Sequence, residues 1–393
     1  MSGSGILIVG RGLHAPWNEG TRVIGRNVID IARSTGRDVR TISLTLPAYA
    51  TSESGVEHVG AVGEYGAASD YRGLVPIARR VRAVTRSGRF GVAHLVGLPF
   101  ALAPLLKRAG LPVVAHVALT SHADHGIVER TRAFIGGRAF LWAIDAFACA
   151  ADPVRDELAR QGYPQSKLRV TLPPVDTDVY RPRDRVESRA ALGIDPDAFV
   201  VGYVGQVSPK RLPIDELLPA LASVPGLVLE AFAPSTTHGR NPGRVDAVAA
   251  ACERAAVSAK VRLKDLTDEQ KSQVSSAADV MLFPFTAAVA IEPPLTLVEA
   301  MASGAIVVAA PFANQSGLVR DGENGIAVLS NGELGAVLAR IRGFSPAQRA
   351  ALGDAARETA ISRFSVASAT AEMERLWRDL GVASFEQRIG HTA

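Results

Sequence analysis

The stretch VMLFPFTAAVAIEPPLTLVEAMASGAIVVAA, residues 280 to 310, sets two apolar runs on either side of a helical segment. VMLFPF (280 to 285) and AIVVAA (305 to 310) are short and without polar interruption, as strands buried on both faces must be. Between them Pro293 and Pro294 forbid helix on their N-terminal side. Proline is favoured at a first helical position, so a helix is expected from about Pro294 to Ser303, with Gly304 as its stop. Glu292 then sits in the strand-to-helix loop and Glu299 about a turn and a half inside the helix.

The same alternation runs outward in both directions. ILIVG (6 to 10), VRTISL (39 to 44), VAHLVG (92 to 97), PVVAHVAL (112 to 119), AFACAA (146 to 151) and LRVTLP (168 to 173) read as strands in the first half. FVVGYVG (199 to 205), LVLEAFA (227 to 233), VRLKD (261 to 265) and GIAVL (325 to 329) join the two runs above in the second. Amphipathic segments such as TRVIGRNVIDIARSTG, with Val23, Val28, Ile31 and Ala32 along one side, separate them. Strands alternating with helices make parallel sheets covered on both faces, and two sets of six strands make two doubly wound α/β domains. A chain of 393 residues is long enough for two such cores. The proline-rich, charged stretch PPVDTDVYRPRDR (173 to 185) marks the join. The expected domains are 1–172, a linker 173–198, 199–360, and a helical tail 361–393.

Composition excludes several classes. With 47% hydrophobic and 21% charged residues the chain is globular, and its two cysteines, Cys149 and Cys252, suit buried reduced thiols. No basic-then-apolar leader opens it, and AFLWAIDAFACAA (139 to 151) is too short to span a bilayer, with Asp145 at its centre. A cytoplasmic location is expected. Residues 1–180 hold 21 basic against 15 acidic side chains, densest in VPIARRVRAVTRSGRF (75 to 90). There Val75, Ala78, Val81 and Ala83 or Val84 recur at helical spacing, opposite Arg79, Arg80, Arg82, Arg86 and Arg89. This is foremost a solvated face; it also admits peripheral contact with an anionic membrane. Nucleic acid is not expected, because interleaved aromatics and known binding patterns are missing.

In an open parallel sheet, ligands bind outside the carboxyl ends of the strands, where the loop after VMLFPF lies. A helix N-terminus there offers free N–H groups to a phosphate. The two acids are poor phosphate ligands and good acceptors for sugar hydroxyls, so the ligand implied is a nucleotide sugar with one acid on the ribose.

The blocks VSSAADVMLFPF, EPPLTLVEAMASGAIVVAA and LVRDGENGIAV, in this order and spacing, resemble the second domain of retaining GT-B glycosyltransferases, which include sucrose and glycogen synthases and bacterial lipid mannosyltransferases. GYVGQVSPKR (202 to 211) resembles that group's donor loop, LPPVDTDVYRP (172 to 182) its interdomain signature, and RFGVAHLVGLP (89 to 99) its fourth-strand segment. The resemblance implies two Rossmann-like domains, an N-terminal one for the acceptor and a C-terminal one for the donor. It also implies an interdomain cleft and a C-terminal helix crossing back to the first domain.

It implies transfer of a sugar from a nucleotide diphosphate to a hydroxyl acceptor, with retention of configuration and no required metal or other cofactor. By the same resemblance Glu299 meets the ribose, Glu292 and His116 meet the donor sugar as the catalytic pair, and Lys210 or Arg211 neutralises the diphosphate. Gly20, Gly205, Leu295 and Thr296 complete the donor contacts. The departures are definite. The acids stand seven apart where eight is usual, Pro293-Pro294 replaces a glycine-bearing loop, Gln206 stands where arginine is common, and Ser316-Gly317 replaces a proline-glutamate pair.

Other readings remain beside this one. His116, His122 and His125 are spaced six and three apart without a fourth ligand, so a zinc site is not expected, and His122 is the second candidate for the sugar contact. Gly10 and Gly12 lack the third glycine of a dinucleotide fingerprint. Asp176 and Asp178 form a DxD in a proline-rich join, a poor place for a metal. A nucleotide-sugar epimerase on the same fold and a catalytically silent scaffold are the alternatives. The acceptor, donor base and oligomeric state have no signature in the chain.

Overall fold

A computed structural model of the chain describes residues 4–382 apart from 11, 16, 18–19, 44–50, 60–73, 98–99, 119–140, 236–240 and 289–290. It has two units, Met1–Pro173 with Ala367–Ala393, and Pro174–Val366. Each is a doubly wound parallel sheet.

In the first unit, the described strands are β1 (Gly5–Gly10), β2 (Val39–Ser43), β3 (Val56–His58), β4 (Phe90–Val96), β5 (Val113–Val117), β6 (Ala146–Cys149) and β7 (Leu168–Val170). Their order is β3-β2-β1-β4-β5-β6-β7, and every pairing is parallel. β1, β4, β5 and β6 are buried at every residue, which is why they read as unbroken apolar runs. β3 is additional to the six strands expected. Its three residues VEH carry one apolar side chain, too little for periodicity to register.

The basic segment forms the helix Leu74–Thr85, but its inward face differs from the expected one. Ile77 and Val81 are buried with Ala78 and Val84 packed beside them, whereas Val75 is 52% exposed. The core side therefore starts at Ile77 and follows the i+4 row. Arg80 and Arg40 both donate to Glu57 on β3, and Arg89 lies 3.7 Å from Asp38. Part of the patch thus neutralises neighbouring carboxylates. No described helix is long and apolar enough to cross a membrane, and both cysteines are free and buried.

The second unit has β8 (Phe199–Val204), β9 (Leu227–Ala233), β10 (Ser258–Leu263), β11 (Val280–Phe283), β12 (Val307–Ala309) and β13 (Ile326–Ala327), in the order β10-β9-β8-β11-β12-β13 and again all parallel. The stretch 173–198, read as a linker, carries the helix Arg185–Leu192, N-capped by the Asp184 carboxylate accepting from the Glu187 amide. Arg189 of that helix, 2% exposed, pairs with buried Asp279 at 2.9 Å. Arg185 (2.7 Å) and Arg349 (3.1 Å) reach the same carboxylate, which also accepts from the Val200 amide. Four elements are joined at one acid. Asp176 accepts from the amides of Asp178 and Val179, so the first acid of the DxD closes a turn.

The helical tail, expected over 361–393, begins inside the helix Pro346–Phe364 and continues as a separate helix Val366–Asp379, because Ser365 turns to extended backbone. The second packs on the first unit. Trp377 is fully buried there, and Glu372 accepts from the Leu172 amide at 3.3 Å.

Candidate functional site

In the second unit the helix Leu295–Ala302 starts after Pro294, as its prolines require, and ends at Gly304, whose φ of +71° is one that only glycine adopts without strain. The first-turn amides of Leu295 and Thr296 have no acceptor within the helix, and among the described residues no side chain caps them. Free N–H groups at a helix start are suited to an anion.

A second loop of this unit follows β8. Gly205 has φ +155°, and a Cβ there would meet the Tyr203 hydroxyl at 3.2 Å. That hydroxyl donates to the Gln206 carbonyl at 2.7 Å, holding the loop down on the strand. The Arg211 amide donates to the Ser208 carbonyl (3.0 Å) and closes a turn, and the Lys210 carbonyl accepts from the Thr286 amide (2.9 Å). Since Thr286 belongs to the loop after β11, the two loops are tied at the carboxyl edge of the sheet. Lys210, Arg211, Leu295, Thr296, Glu292 and Glu299 are thereby gathered on neighbouring elements of one unit.

The two acids have different surroundings. Glu292, 1% exposed, accepts from the Ser316 amide at 3.1 Å and faces no cation among its described contacts. Burial pushes its carboxyl up to about 7, against the pull of Ser316. A proline at 316, the residue usual in the resembled group, could not make this bond.

Glu299, 9% exposed, has Lys271 Nζ 3.5 Å from Oε1, while Oε2 is buried with no partner among the described residues. Lys271 also donates to Asp268 (3.0 Å) and to the Tyr180 hydroxyl (3.2 Å), and that hydroxyl donates to Asp268 (2.8 Å). Burial raises the Glu299 carboxyl, Lys271 lowers it and Asp268 raises it again, leaving it above the ordinary carboxylate value. For Lys271, burial works against the charge but the Glu299 and Asp268 carboxylates outweigh it, and its pKa is raised. Tyr180 stays a neutral phenol, its pKa raised by burial and by the same acids.

Lys271, Tyr180 and Asp268 had not been singled out in the sequence. The only local signal is the capping box Thr267/Gln270 that fixes the start of the helix Asp268–Ala277 and thus the direction of Lys271.

The remaining candidates lie in the first unit. His116, on β5, is 7% exposed, and Gly20 is the first residue of the helix Gly20–Ser34. His122 and His125 lie outside the described residues.

Residues 198–343 match the family described as Glycosyl transferases group 1. Curated D-inositol 3-phosphate glycosyltransferases of Mycobacterium tuberculosis (strain ATCC 25618 / H37Rv) and Mycobacterium bovis (strain BCG / Pasteur 1173P2) are 34% identical over 179 residues, 45% of this chain. The match spans only 36% of the length of those relatives. Sucrose-phosphate synthase from Thermosynechococcus elongatus superposes with a TM-score of 0.80 at 16% identity, over 96% of this chain and 99% of that one. Anabaena Alr3699/HepE in complex with UDP-glucose gives 0.74 at 18% identity, over 95% and 99%. WaaG, a glycosyltransferase involved in lipopolysaccharide biosynthesis, gives 0.70 at 16%, over 96% and 100%. At these identities the structural likeness establishes the fold. The chain has the GT-B fold, and the match to the group 1 glycosyl transferases falls on its second unit, residues 198–343.

Proposed function

We propose that the protein transfers a sugar from a nucleotide diphosphate to a hydroxyl acceptor with retention of configuration. The observation that carries this reading is the carboxyl edge of the second unit. There Oε2 of Glu299, buried and without a partner among the described residues, stands on the helix that follows β11, and the loop bearing Lys210 and Arg211 is hydrogen-bonded to the loop after that same strand. An acid with a free lone pair suits ribose hydroxyls; amides and cations suit the diphosphate.

In this mechanism Lys210, Arg211 and the amides of Leu295 and Thr296 stabilise charge on the leaving diphosphate, with Gly205 letting the backbone approach. Glu292 and His116 orient the sugar. With a carboxyl near pH 7, Glu292 is an acid below neutrality, able to donate to a hydroxyl, and an acceptor above it. The acceptor's proton passes to the leaving phosphate. No step calls for a metal, so turnover is expected to survive chelation by EDTA.

The test is a thermal-shift screen of UDP, GDP, ADP, dTDP and their sugars against wild type, Glu299→Ala and Lys210→Ala. UDP-glucose comes first, being bound in the Anabaena structure. A donor at a hundred times its Kd stabilises the fold by about 2.7 kcal/mol, and both substitutions should remove most of the rise. Turnover with the stabilising donor is then followed by NMR of the product anomer. Inversion would refute retention; nucleotide-independent melting at millimolar concentration would favour the scaffold alternative. Sedimentation with anionic liposomes at low salt tests membrane contact by the basic face of Leu74–Thr85, and failure to sediment ends that reading.

A further inference from the structure

We propose that Trp377 and His94 are positioning residues that hold His116 as a neutral imidazole with its proton on Nε2, making it a fixed hydrogen-bond donor at the carboxyl end of β5. The inference rests on the reading that His116 meets the donor sugar and adds which atom does so and in which protonation state.

The three side chains form a chain of contacts within the first unit. Trp377 Nε1 lies 3.4 Å from His94 Nδ1, and His94 Nε2 lies 3.3 Å from His116 Nδ1. The imidazoles stack with centroids 5.5 Å apart, and the indole meets His94 edge-on at 6.2 Å. Trp377 and His94 are fully buried. Strand register produces the pairing: His94 on β4 is opposite Val114 on β5, and His116, two residues on, shares that face.

The indole N–H can only donate, which sets every other proton in the chain. His94 Nδ1 must therefore accept, so neutral His94 carries its proton on Nε2. That proton points at His116 Nδ1, which must also accept. Neutral His116 is left with its proton on Nε2, an atom that is buried and has no partner among the described residues. Both rings are held neutral: burial lowers His94 well below its usual value, with His116 adding to the effect, and takes His116 down to about 4. A buried N–H lacking an acceptor is completed by a ligand lone pair, such as that of a sugar hydroxyl oxygen. The same tautomer has no Nε2 lone pair for a metal or for a cationic ligand.

The full chain labelled with 15N-histidine tests this by two-bond 1H–15N correlation, with His116 assigned through its loss in His116→Gln. Wild type should show His94 and His116 as Nε2–H tautomers, unchanged from pH 7 to pH 5. His94→Gln should preserve the His116 tautomer, because the amide oxygen accepts from Trp377 and the amide nitrogen donates to Nδ1. His94→Leu, which can neither accept from Trp377 nor donate to His116, should release it to a mixture, with the native fold of the variant checked by its melting transition. A His116 proton on Nδ1 in wild type, or a tautomer indifferent to His94→Leu, overturns the relay.

No sugar is needed for this readout, so it stands apart from the transferase reading. With the donor found by the screen, turnover should fall roughly tenfold or more in His94→Leu and stay near wild type in His94→Gln. Equal turnover in both, with the tautomers as expected, would keep the relay and remove His116 from the sugar.

Discussion

Glu292→Gln should melt higher than wild type at pH 8 and at nearly the same temperature at pH 5. Glu292 is almost fully buried, and its carboxyl is pushed from 4.5 to about 7 by that burial. Below pH 4.5 it is protonated whether the chain is folded or not, and the neutral side chain sits in the core without penalty. Between 4.5 and 7 the unfolded chain has released the proton while the native state keeps it, so native stability declines as pH rises through this window. Above 7 the native state carries a buried carboxylate and the loss is complete.

From pH 5 to pH 8 the loss is about 2.5 kcal/mol, from roughly 1.4 kcal/mol per pH unit where the two states differ by a proton. Glutamine keeps the oxygen that accepts from the Ser316 amide and never ionises, so its stability lacks this slope. In a unit of roughly 200 residues the difference corresponds to about 5–10 °C of melting temperature at pH 8. Parallel calorimetric pH profiles of wild type and variant would show that the carboxyl is not held in its neutral form. A donor-site role for the same group predicts the opposite trade in function: the variant should be more stable at pH 8 and slower in turnover.

Much of the architecture was legible because buried parallel strands announce themselves. All twelve expected strands are present, and the βαβ unit from 280 to 310 starts and stops at its prolines and glycine as their backbone chemistry dictates. What escaped was set by tertiary contact. β3 is too short to carry a pattern. Asp279 looks like the end of a helix in SSAADV; its three arginine partners lie at positions 185, 189 and 349, brought in by the separate packing of the helices Arg185–Leu192 and Pro346–Phe364. His94 and His116 lie in two segments read as strands, yet their contact depends on a strand register that neither segment specifies alone.

The departures from the resembled pattern gain a physical sense in the same way. A serine at 316 supplies the backbone N–H that Glu292 accepts, so the altered loop before the helix and the altered pair after β12 are two sides of one hydrogen bond.

Lys271→Met should destabilise the protein by about 3 kcal/mol at pH 8, and Lys271→Met combined with Glu299→Leu should recover most of the loss. The ammonium and the carboxylate are 3.5 Å apart, with side chains only 15% and 12% exposed, so neither has much water to fall back on. Removing one partner of such a pair leaves an uncompensated charge in the interior, which costs about 3–5 kcal/mol; replacing both by apolar groups of similar volume is often close to neutral. In the single variant Asp268 remains as a like charge, and the Glu299 carboxyl, already raised by burial, rises further. Its stability is then lost as pH climbs through that raised value, so the deficit should shrink at pH 5, where the acid is neutral.

Denaturant midpoints of the four proteins in the double-mutant cycle measure the coupling. Function and stability should separate in the double variant: it folds like wild type, yet with Oε2 gone it has no acid for the ribose and should show no melting shift with any nucleotide. Additive losses across the cycle would mean that Lys271 and Glu299 do not interact. A double variant that still binds nucleotide would remove Glu299 from the donor site and leave it as one half of a structural ion pair.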